Sequence, residues 1–114
     1  MVTNEEVVTY ALTFPEAIES PHFEKKSFRV RKKIFATLDV PKKRVVVKFT
    51  LLQQSVFCDS ERLVIYPVPG GWGRQGWTIV ELKKVRKVMF KDALIESYCN
   101  VAPKALQKEV KSEK

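Results

Sequence analysis

The chain has 114 residues and a formal net charge of +8, from 21 Lys and Arg against 13 Asp and Glu. That length suits one domain and excludes a second catalytic domain or a doubly wound nucleotide-binding fold of ordinary size. A hydrophobic content of 45% excludes a mainly disordered chain, and no apolar run reaches the ~20 residues that cross a bilayer.

Thr3-Asn4-Glu5-Glu6 has the pattern of a capping box, a hydroxyl followed three residues on by a carboxylate. Val7, Val8, Ala11 and Leu12 then recur at helical spacing until Pro15 stops the run. Ser27 to Val30 alternates as a half-buried strand does, and Arg31-Lys32 is the expected reversal. Lys33 to Val40 reads as a second strand with Ile34, Ala36, Leu38 and Val40 on one face. After a Pro41-Lys42-Lys43 turn, Arg44 to Phe49 reads as a third, with Arg44, Val46 and Lys48 opposite Val45, Val47 and Phe49. Short connections make these three an antiparallel meander. A second capping box, Thr50 to Gln53, opens a short helix to Phe57 or Cys58. Strands over Arg62–Tyr66 and Trp77–Leu82 follow, joined by a glycine-rich segment. A helix from about Arg86 to Tyr98 and a terminal helical piece after Pro103 complete the chain. The order α-β-β-β-α-β-β-α is that of one α+β domain over residues 1–110, an antiparallel sheet with helices on one face, and a frayed tail over 111–114.

Particular residues in that order resemble the MmcQ/YjbR-like family of small bacterial proteins, over about Leu12 to Ala102. The resemblance is carried by Phe14-Pro15-Glu16, by Ser20-Pro21-His22-Phe23 leading into Ser27-Phe28-Arg29-Val30, and by Lys33 with Phe35-Ala36. Tyr66-Pro67, Gly76-Trp77, Glu96-Ser97-Tyr98 and Val101-Ala102 complete it. It implies a secretion-chaperone-like fold and the family's customary assignment of DNA binding, and it brings no catalytic residues with it. The family often has glycine in the first hairpin turn, where this chain has Arg31-Lys32.

Several constellations invite chemistry and do not sustain it. Gly71-Trp72-Gly73-Arg74-Gln75-Gly76 matches GxGxxG but runs into a strand, whereas a dinucleotide site needs it to open a helix. His22, the single histidine, has no nucleophile elbow to serve and is expected to order the turn before the first strand. Two cysteines 41 positions apart make neither a disulfide framework nor a metal site, so Cys58 and Cys99 read as buried, unreactive thiols. No enzyme, metal or cofactor is expected. Met1 to Glu6 does not read as a signal peptide, and a cytoplasmic setting without membrane contact is the expectation. Trp77 reads as core. Trp72 suits stacking or partner anchoring, but folding back onto the sheet as a lid is favoured because a buried Trp contributes a large apolar area.

Charge is the feature that points to a partner. Residues 1–24 carry −5, residues 25–48 carry +9, residues 49–82 carry −1 and residues 83–114 carry +5. Arg31, Lys32 and Lys33 crowd one hairpin tip and Lys42, Lys43 and Arg44 the other, while Arg29, Arg44 and Lys48 point outward between them. Lys83, Lys84, Arg86 and Lys87 form a further cluster whose relation to the strip depends on strand order. The expectation is a basic sheet face that holds the phosphates of nucleic acid, duplex DNA first, with Trp72 and Arg74 adding a stacking or edge contact. The alternative is a protein-binding adaptor, monomer or homodimer, whose sheet docks an acidic partner.

Overall fold

The structure, a computed structural model, describes residues 1–22, 24–58 and 63–111. Helix α1 (Asn4–Ala11) starts at Thr3, whose hydroxyl accepts from the Glu6 N–H while the Glu6 carboxylate accepts from the Thr3 N–H. Six strands follow among the other elements: β1 (Ile18–His22), β2 (Lys25–Val30), β3 (Lys33–Asp39), β4 (Arg44–Lys48), β5 (Ile65–Pro67) and β6 (Trp77–Glu81). Helix α2 (Leu51–Phe57) lies between β4 and β5 and carries the second capping box, Thr50 with Gln53. Between β5 and β6 sits the single turn of α3 (Gly71–Arg74). Helices α4 (Lys87–Val101) and α5 (Lys104–Lys111) close the chain. The expected order and α+β class are found, with β1 and α3 added to them.

The sheet runs β1-β2-β3-β4-β6-β5, every neighbouring pair antiparallel. Pro21 explains why β1 escapes a sequence reading, since proline demotes a strand; here it sits in an edge strand, where its missing N–H breaks no ladder. His22 therefore ends a strand, opposite Lys25, instead of ordering a turn before one. The expected strand at Arg62–Tyr66 is Ile65–Pro67, and Arg62 itself lies outside the described residues, as does the tail over 112–114.

One face of the sheet is covered. Helix α4 packs on β3 and β4 and α5 packs on α4, burying Phe28, Val30, Leu38, Val45, Val47 and Val80 beneath Ala93, Leu94 and Tyr98. Phe14, Phe35 and Tyr98 meet ring to ring in this core, Phe14 stacked on Tyr98 at 4.8 Å and Phe35 edge-on to Tyr98 at 5.2 Å. The register corrects one sequence expectation. Phe28 pairs with Ala36 but Arg29 pairs with Ile34, so β3 carries an extra residue, Phe35. This bulge turns Phe35 into the core with Ala36 and Leu38 and sends Ile34 to the opposite face. The buried Ser97 hydroxyl donates to the Phe35 carbonyl and accepts the Lys48 N–H at 2.7 Å, satisfying groups that the irregularity leaves off the ladder.

Candidate functional site

The other face of the sheet is left open by α4 and α5, with the single turn of α3 beside β6, and its residues follow from the register. Ser20, Ser27, Thr37, Val46, Ile79 and Tyr66 pair in succession across all six strands. Beside that row, towards the β2–β3 turn, lie Ile18 with Arg29, Arg29 with Ile34, and Lys48 with Trp77. A cleft of about 710 Å³ opens there, lined by Arg29, Lys32, Lys33, Lys48, Trp77 and Asn100 among others. Among the described residues that line it, four are cations and none is a carboxylate.

Arg29 and Lys48 are held in place by their neighbours. Arg29 Nε donates to Ser27 Oγ at 3.2 Å, and that hydroxyl donates to the Ser20 carbonyl at 2.9 Å. The Lys48 carbonyl accepts from Asn100 Nδ2 at 2.9 Å, and its ammonium lies 5.1 Å from the centre of the Trp77 ring while donating to the Gln75 carbonyl. Asn100 also donates to Gln53 Oε1 at 2.6 Å, and Gln53 donates onward to Glu96 at 2.8 Å, so the α2 capping box and the end of α4 together fix the end of β4. Lys32 and Lys33 project from the β2–β3 turn. Arg31 and Lys32 have φ of 51° and 71°, the positive values that both central residues of a two-residue type I′ turn require.

The other expected phosphate contacts lie elsewhere. Arg31 forks onto Glu16 at 2.6 and 3.0 Å, and this hydrogen bonding holds the Glu16 carboxyl below its ordinary range and pushes the Arg31 guanidinium up. Arg44 Nε donates to Glu81 at 2.9 Å, which also accepts from the Tyr66 hydroxyl. Bonding to Glu81 raises the Arg44 pKa; burial first, and then the same carboxylate, raises that of Tyr66. Lys42 and Lys43 stand at the opposite end of the sheet. There the Lys43 carbonyl accepts the Leu82 N–H at 3.0 Å, so strand order brings Lys83 and Lys84 next to them and away from the cleft. Lys87 is paired with Glu6 at 3.0 Å. The single strip expected across the face is thus divided, with Arg29, Lys32, Lys33 and Lys48 in one cleft, Lys42 and Lys43 at the far end, and Arg31 and Arg44 on carboxylates.

Both tryptophans depart from the expectation for them. Trp77 is half-buried on the open face, not in the core, and Trp72 is 63% exposed on α3, not folded down as a lid. Together with Ile34, Val46, Val68 and Lys25, among others, they line a second cavity of about 410 Å³ that shares Trp77 and Ile34 with the cationic cleft. Arg74 is exposed on the same short helix. The glycines of this segment serve close approach of backbones. A Cβ on Gly73 would lie 2.0 Å from the Val68 carbonyl oxygen, and one on Gly76, where φ is +104°, would lie 1.9 Å from that of Phe49. Ile34, Val46 and Lys25 were not among the expected site residues. For Lys25 and Val46 the signal was alternation along the strand, while the bulge hid Ile34.

Cys99 is buried as expected, whereas Cys58 is half-buried, with burial pushing its thiol pKa up. Among the described residues no three His, Cys, Asp or Glu side chains converge to hold a metal ion, and no helix is long and apolar enough to cross a membrane.

The family model described as YjbR matches residues 12–100. Among solved structures, the Deinococcus radiodurans protein DR2400, which carries a DUF419 domain, superposes with a TM-score of 0.78 at 20% identity, over 97% of this chain and 89% of that one. That likeness speaks for the fold. No curated protein matches the chain.

Proposed function

The chain belongs to the YjbR family, and from that premise we propose that it binds nucleic acid, holding backbone phosphates along the cleft of Arg29, Lys32, Lys33 and Lys48. The observation that carries this reading is four cations, and among the described residues no carboxylate, lining one cavity at the β2–β3 end of the sheet. Clefts lined by one sign of charge concentrate counter-charged ligands, and phosphate contacts made this way depend steeply on salt. The test compares two charge-matched double variants by fluorescence anisotropy with labelled oligonucleotides at several salt concentrations. Lys32→Ala/Lys33→Ala should weaken binding and flatten the slope of log K against log salt by about 1.4 to 1.8. Lys42→Ala/Lys43→Ala should leave binding nearly unchanged. Equal losses from both pairs would reduce the interaction to net charge, and no binding at low salt would remove it.

A second reading, association with a protein partner, is favoured by one separate observation, which lies on α2 and not on the sheet that the adaptor expectation invoked. Helix α2 buries none of its residues and exposes Leu51, Leu52 and Val56. Contiguous exposed apolar side chains mark association surfaces. If they join two copies of the chain, Leu52→Glu/Val56→Glu should halve the mass seen by light scattering; an unchanged monomer mass in both forms would oppose self-association.

A further inference from the structure

Resting on the phosphate-binding reading, we propose that the strand held in this cleft is single, with a base stacked in the cavity between Trp72 and Trp77 and its flanking phosphates on the neighbouring cations. The two cavities are adjacent and chemically unlike. The first is rimmed by Arg29, Lys32, Lys33 and Lys48; the second is mainly aromatic and aliphatic, Trp72 and Trp77 over Ile34, Val46 and Val68, with His22, Lys25 and Thr37 completing its lining. At about 410 Å³, the second lies within the range of roughly 300–1,000 Å³ typical of cavities that take small organic groups. Trp77 and Ile34 are common to both, with the Lys48 ammonium against the Trp77 ring. A charged trough beside an aromatic platform is the pairing of features that single-stranded nucleic acid needs, because each nucleotide offers a phosphate and a π-face together.

A duplex fits the same surface less well. Its bases are stacked internally and its outside is sugar and phosphate, so Trp72, Trp77, Ile34 and Val46 would meet charged, hydrated backbone. The exposure of Trp72 gains a purpose under this arrangement. A large apolar side chain 63% exposed on a one-turn helix, propped over the sheet by glycines that tolerate backbone contact, is placed to close on a base. Stacking tolerates any base, so the arrangement predicts weak sequence preference.

The experiment titrates a labelled oligothymidylate and a duplex of equal length into the full chain and into Trp72→Ala and Trp72→Phe. The single strand should bind more tightly than the duplex and quench tryptophan fluorescence. Trp72→Ala should weaken it about tenfold, with Trp72→Phe recovering most of the loss. The slope of log K against log salt should stay near −3 in all three, as four phosphates at about −0.7 each require. Equal or tighter duplex binding, with Trp72→Ala without effect, would overturn the single-strand claim and leave the phosphate contacts standing. Binding of neither would overturn both. Tighter binding of labelled polyglutamate than of the oligothymidylate, at matched charge and salt, would favour an acidic polypeptide as the ligand and overturn both in another way.

Discussion

Replacing Lys32 by glycine should make the protein more stable and a poorer binder at once. Lys32 sits at φ 71° in the β2–β3 turn. An L-residue in the left-handed region costs roughly 1–2 kcal/mol, and glycine relieves this while giving back about 0.5–1 kcal/mol in chain entropy. The net expectation is a gain of about 0.5–1 kcal/mol. For a chain of 114 residues the unfolding entropy is on the order of 0.24 kcal/mol per kelvin, so Tm should rise by about 2–4 °C. Arg31 is a different case, because its conformation comes with the forked contact to Glu16, which glycine would forfeit. The same change at Lys32 removes one cation from the cleft, so the salt slope for a single strand should flatten by about 0.7. Thermal melting followed by circular dichroism reads the first quantity and anisotropy the second. A lowered Tm would refute the claim that the turn is strained, and unchanged affinity and slope would refute the assignment of Lys32 to phosphate.

Ser97→Ala leaves the Lys48 N–H and the Phe35 carbonyl without their partner, and should cost about 2 kcal/mol, a Tm drop near 8 °C by calorimetry. Gly76→Ala drives a Cβ to 1.9 Å from the Phe49 carbonyl oxygen at a φ that alanine resists, and should cost about 3 kcal/mol or more in urea unfolding. Burial pushes the Tyr98 hydroxyl up to about 12, and it donates to the Pro15 carbonyl at 2.7 Å. Because the unfolded chain gives up this proton near 10 and the folded chain holds it, stability should fall as pH rises from about 10 to about 12. Tyr98→Phe should be less stable at neutral pH and show a shallower alkaline fall in Tm.

Local chemistry was legible in the sequence. Both capping boxes, Thr3 with Glu6 and Thr50 with Gln53, are built by neighbours three residues apart, and both are in the structure. So are two hairpin turns, at Arg31-Lys32 and at Pro41-Lys42-Lys43, and the ends of α1 and α4, each followed by a proline. What was hidden depends on distant partners. Phe35 enters the core because its ring meets Phe14 and Tyr98 and its carbonyl is taken by Ser97, none of which alternation along β3 can reveal. Trp77 and Ile79 sit on the open face while Thr78 faces the covered side. That placement is permitted because the Thr78 hydroxyl donates to the Gly76 carbonyl at 2.9 Å and accepts from Gln54 at 3.1 Å, so a polar side chain is buried without loss. The charge blocks misled in the same way. Glu16 reaches Arg31 and Glu81 reaches Arg44 only once the sheet has formed, which withdraws two cations from the expected strip.

The central claim is one of place: the cations at the β2–β3 turn and the end of β4, and not the basic far end, hold the ligand. Amide chemical shifts in a nitrogen-15 labelled sample, followed as oligothymidylate is added, test it directly. The account predicts the largest changes over residues 29–34, at Lys48 and over residues 72–77, with Lys42, Lys43, Lys83 and Lys84 nearly still. Changes concentrated at those four lysines, or spread evenly over the surface, would contradict it.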